Sequence, residues 1–170
     1  APLAADLMTD ADSDDAQAIA SWRHLARALS DFDSIPDATP PPLEIPLRDY
    51  QLRGYRWLRF LYDHHLGGVL ADDMGLGKTA QAIAFLASVH AGPARVAAGP
   101  SLVVAPASVA AGWLDEVRRF APQLRTHLHY GADREPPPHD VDVVVTTYSL
   151  LRLDAELLAG YRWHAVVLDE

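Results

Sequence analysis

Short apolar runs alternate with amphipathic segments along most of the chain from residue 68 onward. The apolar runs predict strands at 68–72, 101–105, 126–130, 141–146 and 165–169. The segments between them carry apolar positions at helical spacing and predict helices at 78–90, 108–120 and 148–159. This alternation is typical of a parallel sheet with helices on both faces, so the predicted fold class is α/β. Ligands of such sheets bind at the carboxyl ends of the strands.

Two further segments precede this pattern. Residues 13–32 carry an apolar stripe at helical spacing and predict a helix that is capped by Ser13. Five prolines between residues 36 and 46 predict an extended linker, and a second helix is expected from Leu47. We therefore predict an acidic helical segment with a proline-rich linker at 1–46 and an α/β body at 47–170.

The sequence ADDMGLGKT at 71–79 places a glycine-rich turn between a predicted strand and a predicted helix. Backbone N–H groups of such a turn and the positive end of the helix dipole point at the same anion, which makes a phosphate cradle. Lys78 would place a point charge on the β- and γ-phosphates, and the Thr79 hydroxyl would bind Mg²⁺. The other predicted nucleotide-binding residues are those of the turn itself: Asp73, Met74, Gly75, Leu76 and Gly77.

Two observations bear on this interpretation. Asp72 stands where the strict phosphate-loop pattern G-x-x-x-x-G-K-[ST] has its first glycine, so the strict pattern is not met. Lys78 is the only lysine among the 14 basic residues, which favours a special role for it. The alternative is an ordinary glycine-rich connection between a strand and a helix, in which the lysine and the threonine form a solvated first turn.

The predicted strand at 165–169 leads into a pair of carboxylates, Asp169 and Glu170. In phosphate-loop ATPases such a pair holds Mg²⁺ through water and orients or deprotonates the attacking water. An apolar run followed by two acids is weak evidence alone, but Asp169 follows Lys78 by 91 residues, which leaves room for two strand–helix units. We therefore predict Lys78, Asp169 and Glu170 as catalytic residues, with Thr79 and Asp169 as the metal ligands.

Composition limits the class of protein without naming partners. The 170 residues, 49% of them hydrophobic, suffice for one packed domain, and no apolar run approaches the length of a membrane span. The absence of cysteine excludes disulfides and thiolate metal sites and fits a cytoplasmic protein, and the preference for alanine and arginine suggests a bacterial source. Of the net charge of −9, residues 1–46 carry −7 and residues 47–170 carry −2, so the charge of the body neither requires nor excludes nucleic acid.

Five segments in this order resemble the first RecA-like lobe of Swi/Snf-type ATPases of helicase superfamily two. They are LRDYQ at 47–51 with Gly54 and Trp57, GVLADDMGLGKT at 68–79, LVVAPAS at 102–108 with Trp113 and Glu116, TTYSLLR at 146–152, and LDE at 168–170. The resemblance covers residues 47–170 and includes the form of phosphate loop that lacks the first glycine. It implies a RecA-like three-layer sandwich with a parallel sheet, truncated after the Walker B carboxylates.

The resemblance also implies ligands and partners. The cofactors are ATP and Mg²⁺, with Gln51 as the glutamine that recognises adenine. Double-stranded DNA would be contacted through its backbone phosphates by two turns. The residues carried over to these turns are Pro106 and Ser108 in the first, and Thr146, Thr147 and Tyr148 in the second.

The family's second RecA-like lobe, which supplies an arginine finger, is not part of this sequence. The resemblance therefore implies an ATPase that moves on duplex DNA as the full-length protein, and a fragment that at best binds nucleotide.

Several alternatives stay open at this point. A non-catalytic module, in which nucleotide binding gates another domain, would carry the same motifs. A metabolic phosphate-loop kinase is less consistent with the glutamine helix and with the TTY strand. Trp113 is equally consistent with a core anchor, Gln51 with a solvated helix residue, and residues 146–148 with a strand end whose hydroxyls are satisfied internally.

Overall fold

The computed structural model describes residues 35–73, 75–91 and 99–169. Residues 38–170 form one compact unit. The described helices are α1 (Asp49–Asp63), α2 (Lys78–Val89), α3 (Ala107–Phe120), α4 (Tyr148–Leu153) and α5 (Ala155–Ala159), and the described strands are β1 (Ser101–Ala105), β2 (Thr126–Leu128), β3 (Val143–Thr147) and β4 (Val166–Leu168). The helix predicted at 13–32, as well as Met74 and Glu170, lies outside the described residues.

The four strands form one parallel sheet in the order β2-β3-β1-β4. Leu102 of β1 lies opposite Val144 of β3 on one side and Val166 of β4 on the other. β1 and β3 are buried along their whole length. Both faces of a parallel sheet are covered, which is why these central strands are nearly continuous apolar runs. The predicted α/β class with a parallel sheet is confirmed.

The two faces of the sheet contact different helices. On one face, Val103 and Val145 belong to the main core, which they share with residues of α1, α2 and α3. On the other face, Leu102 and Val144 pack with Leu151 of α4. Successive side chains of a strand point to opposite faces, so the same two strands supply both cores. The result is the predicted three-layer sandwich of helices, sheet and helices.

Helix α2 is buried along most of its length and packs between α1 and α3. Its sequence is apolar on nearly every side, as expected for a helix that is covered all round. Helix α1 is amphipathic and buries Tyr55, Phe60 and Leu61. Among the residues that the structure describes, no helix has the length and apolar character to cross a membrane.

The prediction of a strand at 68–72 is wrong, because these residues take part in no sheet pairing. Val69 is 79% exposed, and the segment lies across a cleft of about 840 Å³ from β4. β4 is an edge strand of the described sheet, and its Val166 and Leu168 are also exposed. A strand needs a neighbour within hydrogen-bonding distance, and an apolar run in a sequence does not show whether that neighbour is present.

The single helix predicted at 148–159 is divided into α4 and α5 at Asp154. Asp154 has φ −106° and ψ 26°, which interrupts the regular helical backbone. Its carboxylate accepts hydrogen bonds from Arg134 and His129, which lie outside both helices. Helical spacing alone does not reveal such a contact with a distant segment. The helices predicted at 78–90 and 108–120 are confirmed as α2 and α3.

Part of the proline-rich segment contacts the body directly. The backbone N–H of Glu44 donates to the carbonyl of Phe120 at 3.0 Å. Tyr55 Oη donates to the carbonyl of Thr39 at 3.2 Å, and Leu43 packs against the main core. Thr39, Leu43 and Glu44 thus contact the body. The separation of residues 1–46 from the body stays a prediction.

Candidate nucleotide-binding site

The glycine turn, defined here as residues 72–77, needs glycine at two positions. Gly75 and Gly77 have φ of +84° and +74°, in the left-handed region that disfavours side chains. A Cβ at Gly77 would lie 2.4 Å from Nε2 of Gln51. Gln51 Nε2 donates to the carbonyl of Leu76 at 3.2 Å, so α1 is fastened to the turn through the glutamine that was predicted to recognise adenine.

Lys78 directly follows the glycine turn and reaches back to its backbone. Helix α2 begins at Lys78, directly after Gly77, and no side chain caps its first turn. The Lys78 ammonium donates to the backbone carbonyl of Asp72 at 2.6 Å and to that of Asp73 at 3.3 Å. Free N–H groups, a helix N-terminus and an ammonium group therefore converge on one place, which is the arrangement that binds phosphate.

Asp72, where the strict pattern has a glycine, makes a structural contact. Its Oδ2 accepts a hydrogen bond of 3.0 Å from Nε2 of Gln81, which is fully buried in α2. Gly54 of α1 makes room for that side chain, because a Cβ there would lie 1.7 Å from Gln81 Oε1. Sequence reasoning missed the role of Gln81. The available signal was a lone amide in an otherwise apolar stretch of α2.

Asp169 follows β4 and is held by three hydrogen bonds from three elements. Its backbone N–H donates to the carbonyl of Val104 at 2.8 Å, which continues the sheet ladder. Trp113 Nε1 in α3 donates to Asp169 Oδ2 at 2.8 Å. Tyr148 Oη in α4 donates to the backbone carbonyl of Asp169 at 2.5 Å. Within the described residues Asp169 Oδ1 has no hydrogen-bond donor, so one carboxylate oxygen stays available for a ligand.

The two sequence motifs meet at one cleft of about 840 Å³. Lys78 and Thr79 line one wall, and Asp169 lines the other together with Trp113 and Tyr148. A hydroxyl and a carboxylate are hard oxygen ligands that suit Mg²⁺ when phosphate oxygens complete its coordination. In the described part of the chain no group of three or more histidine, aspartate or glutamate residues could hold a metal by itself. The Thr79 hydroxyl and the Asp169 carboxylate are the groups that could hold Mg²⁺ carried on a nucleotide.

The five residues predicted to contact nucleic acid differ in exposure. Pro106 and Ser108 lie at the start of α3, with Ser108 exposed. Thr146 is fully buried and donates to the carbonyl of His129, whereas Thr147 is 4% exposed and its hydroxyl caps α4. Tyr148 is 41% exposed. Ser108 and Tyr148 are thus accessible to a ligand, while the two threonines mainly order the turn. Their DNA contacts stay predictions.

A second polar cluster lies away from this cleft. Arg134 donates to Asp154 from Nε at 2.6 Å and from Nη2 at 2.8 Å, and His129 Nε2 lies 2.9 Å from the same carboxylate. These hydrogen bonds, Arg134 first, lower the pKa of Asp154 to about 2. They connect the segment after β2 to the junction of α4 and α5, so their role is structural.

The fold and the site together define a class: a RecA-like α/β domain whose glycine turn and strand-end carboxylate face one cleft, as in phosphate-loop ATPases. The SNF2-related domain family matches residues 50–170, and the chain belongs to this family. The resemblance found in the sequence is confirmed.

Known relatives align with most of this chain, but the chain spans only a small part of the length of each relative. YwqA of Bacillus subtilis, named provisionally as an ATP-dependent helicase/translocase, is 40% identical over 87% of this chain and 17% of its own length. The chromatin-remodeling ATPase INO80 of Arabidopsis thaliana is 39% identical over 78% of this chain and 10% of its own length. The solved SWI2/SNF2 ATPase core of Sulfolobus solfataricus in complex with dsDNA superposes with a TM-score of 0.70 at 38% identity, covering 79% of this chain and 28% of that chain.

Proposed function

We propose that this chain is the nucleotide-binding part of an SNF2-type ATPase that couples ATP hydrolysis to movement on duplex DNA. The observation that carries the proposal is the placement of Lys78, Thr79 and Asp169 on one cleft, although Asp169 is 91 residues away in sequence. Family membership supports the same conclusion.

Each residue has a defined role in this proposal. The Lys78 ammonium exchanges its two carbonyl acceptors for phosphate oxygens, which are stronger acceptors because they are charged. Thr79 and Asp169 hold Mg²⁺, which neutralises charge on the phosphates. Gln51 keeps one amide hydrogen for adenine, because its second is used on Leu76. Glu170 orients the attacking water.

DNA contact is proposed for the two turns at the carboxyl ends of β1 and β3. These strands are neighbours in the sheet, so the two turns lie side by side. Ser108 is accessible there and can donate to a backbone phosphate, and the exposed ring of Tyr148 can pack against the DNA backbone while its hydroxyl donates to Asp169, so neither contact selects a base sequence. The relative from Sulfolobus solfataricus, solved in complex with dsDNA, supports this partner.

The chain alone should bind nucleotide weakly and should not hydrolyse it. It covers 28% of the solved SWI2/SNF2 core, and the resemblance assigns an arginine finger to the second lobe. Such a finger contributes several orders of magnitude to phosphoryl transfer. Turnover is therefore a property that we assign to the full-length protein.

Calorimetry with ATP and Mg²⁺ on the full-length protein tests the site. Lys78→Ala should raise the dissociation constant by about tenfold or more, since it removes a charge-assisted phosphate contact. Arg119→Ala is the matched control, because it removes one positive charge from an exposed side chain of α3, which contacts Glu116 at 3.8 Å and the ring of Phe120. Glu170→Gln should retain binding but lose hydrolysis. Equal nucleotide affinities of the Lys78→Ala and Arg119→Ala proteins would show that Lys78 does not contact the nucleotide.

A further inference from the structure

Two side chains from different helices hold Asp169 at the cleft. The Trp113 indole donates to Oδ2 at 2.8 Å, and the Tyr148 hydroxyl donates to the backbone carbonyl at 2.5 Å. One contact fixes the carboxylate group, and the other fixes the backbone that carries it. Together they set both the position and the rotation of this side chain.

Trp113 is a rigid support for the carboxylate. It is 4% exposed and packs in the main core, so its ring has little freedom to move. A buried indole N–H needs an acceptor, and here the acceptor is the carboxylate itself. Because Trp113 occupies Oδ2, Oδ1 is the oxygen left for a ligand in the cleft.

The two helices that carry these side chains begin at the two turns proposed to contact DNA. Helix α3 follows Pro106 at the end of β1, and α4 follows Thr147 at the end of β3. Tyr148 is the first residue of α4 and is 41% exposed, so it can be reached from solvent while its hydroxyl holds Asp169. A ligand that displaces either turn therefore acts on Asp169 through one hydrogen bond.

We propose that Trp113 and Tyr148 are positioning residues that orient the Asp169 carboxylate for Mg²⁺ and transmit displacement of the two DNA-facing turns to it. This inference rests on the proposed function, because it takes Asp169 as the Mg²⁺ ligand. It assigns to Trp113 a role beyond that of a core anchor. It also makes Tyr148 a link between the DNA surface and the nucleotide cleft.

The chain offers a matched control for each variant. Trp113→Phe removes the indole N–H and keeps an aromatic ring, and Trp163→Phe removes an indole hydrogen bond of the same 2.8 Å length to the carbonyl of Leu158. Tyr148→Phe removes one hydroxyl, and Tyr161→Phe removes a hydroxyl that donates to the carbonyl of Pro137 at 2.6 Å. Neither control residue lines the cleft.

The first measurement is ADP binding to the full-length protein by calorimetry, titrated with Mg²⁺ and repeated in EDTA. Trp113→Phe should raise the Mg²⁺ concentration for half-maximal tight binding by roughly tenfold or more, the usual effect of one lost hydrogen bond to a charged group. Metal-free ADP binding should not change, and Trp163→Phe should behave as wild type in both titrations. An unchanged Mg²⁺ dependence in Trp113→Phe, with a raised one in Asp169→Asn, overturns the positioning role and leaves the proposed function intact. An unchanged dependence in Asp169→Asn overturns the Mg²⁺ assignment and the inference with it.

The second measurement is the ratio of ATP hydrolysis rates with and without duplex DNA. Tyr148→Phe should lower this ratio by roughly three- to tenfold, with DNA affinity within twofold of wild type, because only the hydrogen bond to Asp169 is removed. Tyr161→Phe should keep the wild-type ratio. A wild-type ratio in Tyr148→Phe, or a reduction fully explained by weaker DNA binding, overturns the transmission between the DNA turns and Asp169.

Discussion

Replacing Gly54 of α1 by alanine should destabilise the protein, although alanine favours helices. The added Cβ would lie 1.7 Å from Gln81 Oε1 and 3.3 Å from Cδ1 of Leu70. Gln81 is fully buried and donates to Asp72 at 3.0 Å, so its amide must leave this hydrogen bond to make room. The substitution in α1 therefore acts on the glycine turn through a residue of α2.

Three contributions set the magnitude of this effect. Loss of a hydrogen bond to a carboxylate costs about 1.5–3 kcal/mol. Overpacking of a tight core adds about 1–3 kcal/mol. Alanine in place of glycine inside a helix stabilises by about 0.5–1 kcal/mol. The expected net destabilisation is about 2–4 kcal/mol when the lower part of each range applies, because Gln81 is flexible.

Urea unfolding of wild type, Gly54→Ala, Gln81→Ala and the double variant gives a double-mutant cycle. With Gln81 already truncated, the clash is gone, and Gly54→Ala should be neutral or stabilising by up to about 1 kcal/mol. The sign of the Gly54 effect should thus reverse between the two backgrounds. A cost of Gly54→Ala that agrees within about 0.5 kcal/mol in both backgrounds would refute the reasoning, because it would show that the two residues act independently.

Two further predictions concern the turn and the second polar cluster. Gly77→Ala should weaken both nucleotide binding and stability by about 1–3 kcal/mol, because a left-handed backbone would have to carry a side chain. Gly112→Ala in α3 should be neutral or slightly stabilising, because a Cβ there would lie in open space. Calorimetry measures the effect on binding and urea unfolding the effect on stability, and equal effects of the two variants would contradict the argument. The pKa of Asp154 is lowered to about 2 by Arg134 and then His129. The stabilisation from Asp154 is therefore fully present above its unfolded pKa near 4 and is lost as the pH falls towards 2. Asp154→Asn should reduce the loss of unfolding free energy between about pH 5 and pH 2, and an unchanged pH dependence of the unfolding free energy would show that this cluster contributes nothing.

The sequence predicted those parts of the site that are local in the chain. A glycine turn followed by Lys78 and Thr79 depends on neighbours within a few residues, and the structure places these residues on one cleft with Asp169. The fold class was equally predictable, because alternating apolar runs and amphipathic segments determine which elements can pack. The individual roles of the site residues stay predictions that the proposed variants test.

Contacts between distant residues could not be predicted in this way. Trp113 lies 56 residues before Asp169, and helical periodicity explains its burial equally well without the hydrogen bond. The contact between Gly54 and Gln81 could not be predicted for the same reason. A single glycine or a single glutamine in a helix is common and does not indicate which residue it faces. Asp154 divides α4 from α5 and is contacted there by Arg134 and His129, which come from another segment.

The cleft itself gives a physical reason for the weak nucleotide binding that we propose for the isolated chain. One end is polar, with Lys78, Thr79 and Asp169, and the other is apolar, between the exposed side chains of Val69 and Val166. A nucleotide phosphate satisfies only the polar end. At the apolar end, the segment 68–72 makes no sheet pairing with the edge strand β4. The isolated chain should therefore hold a nucleotide through one polar end of the cleft alone, which is the physical reason to expect a weak affinity.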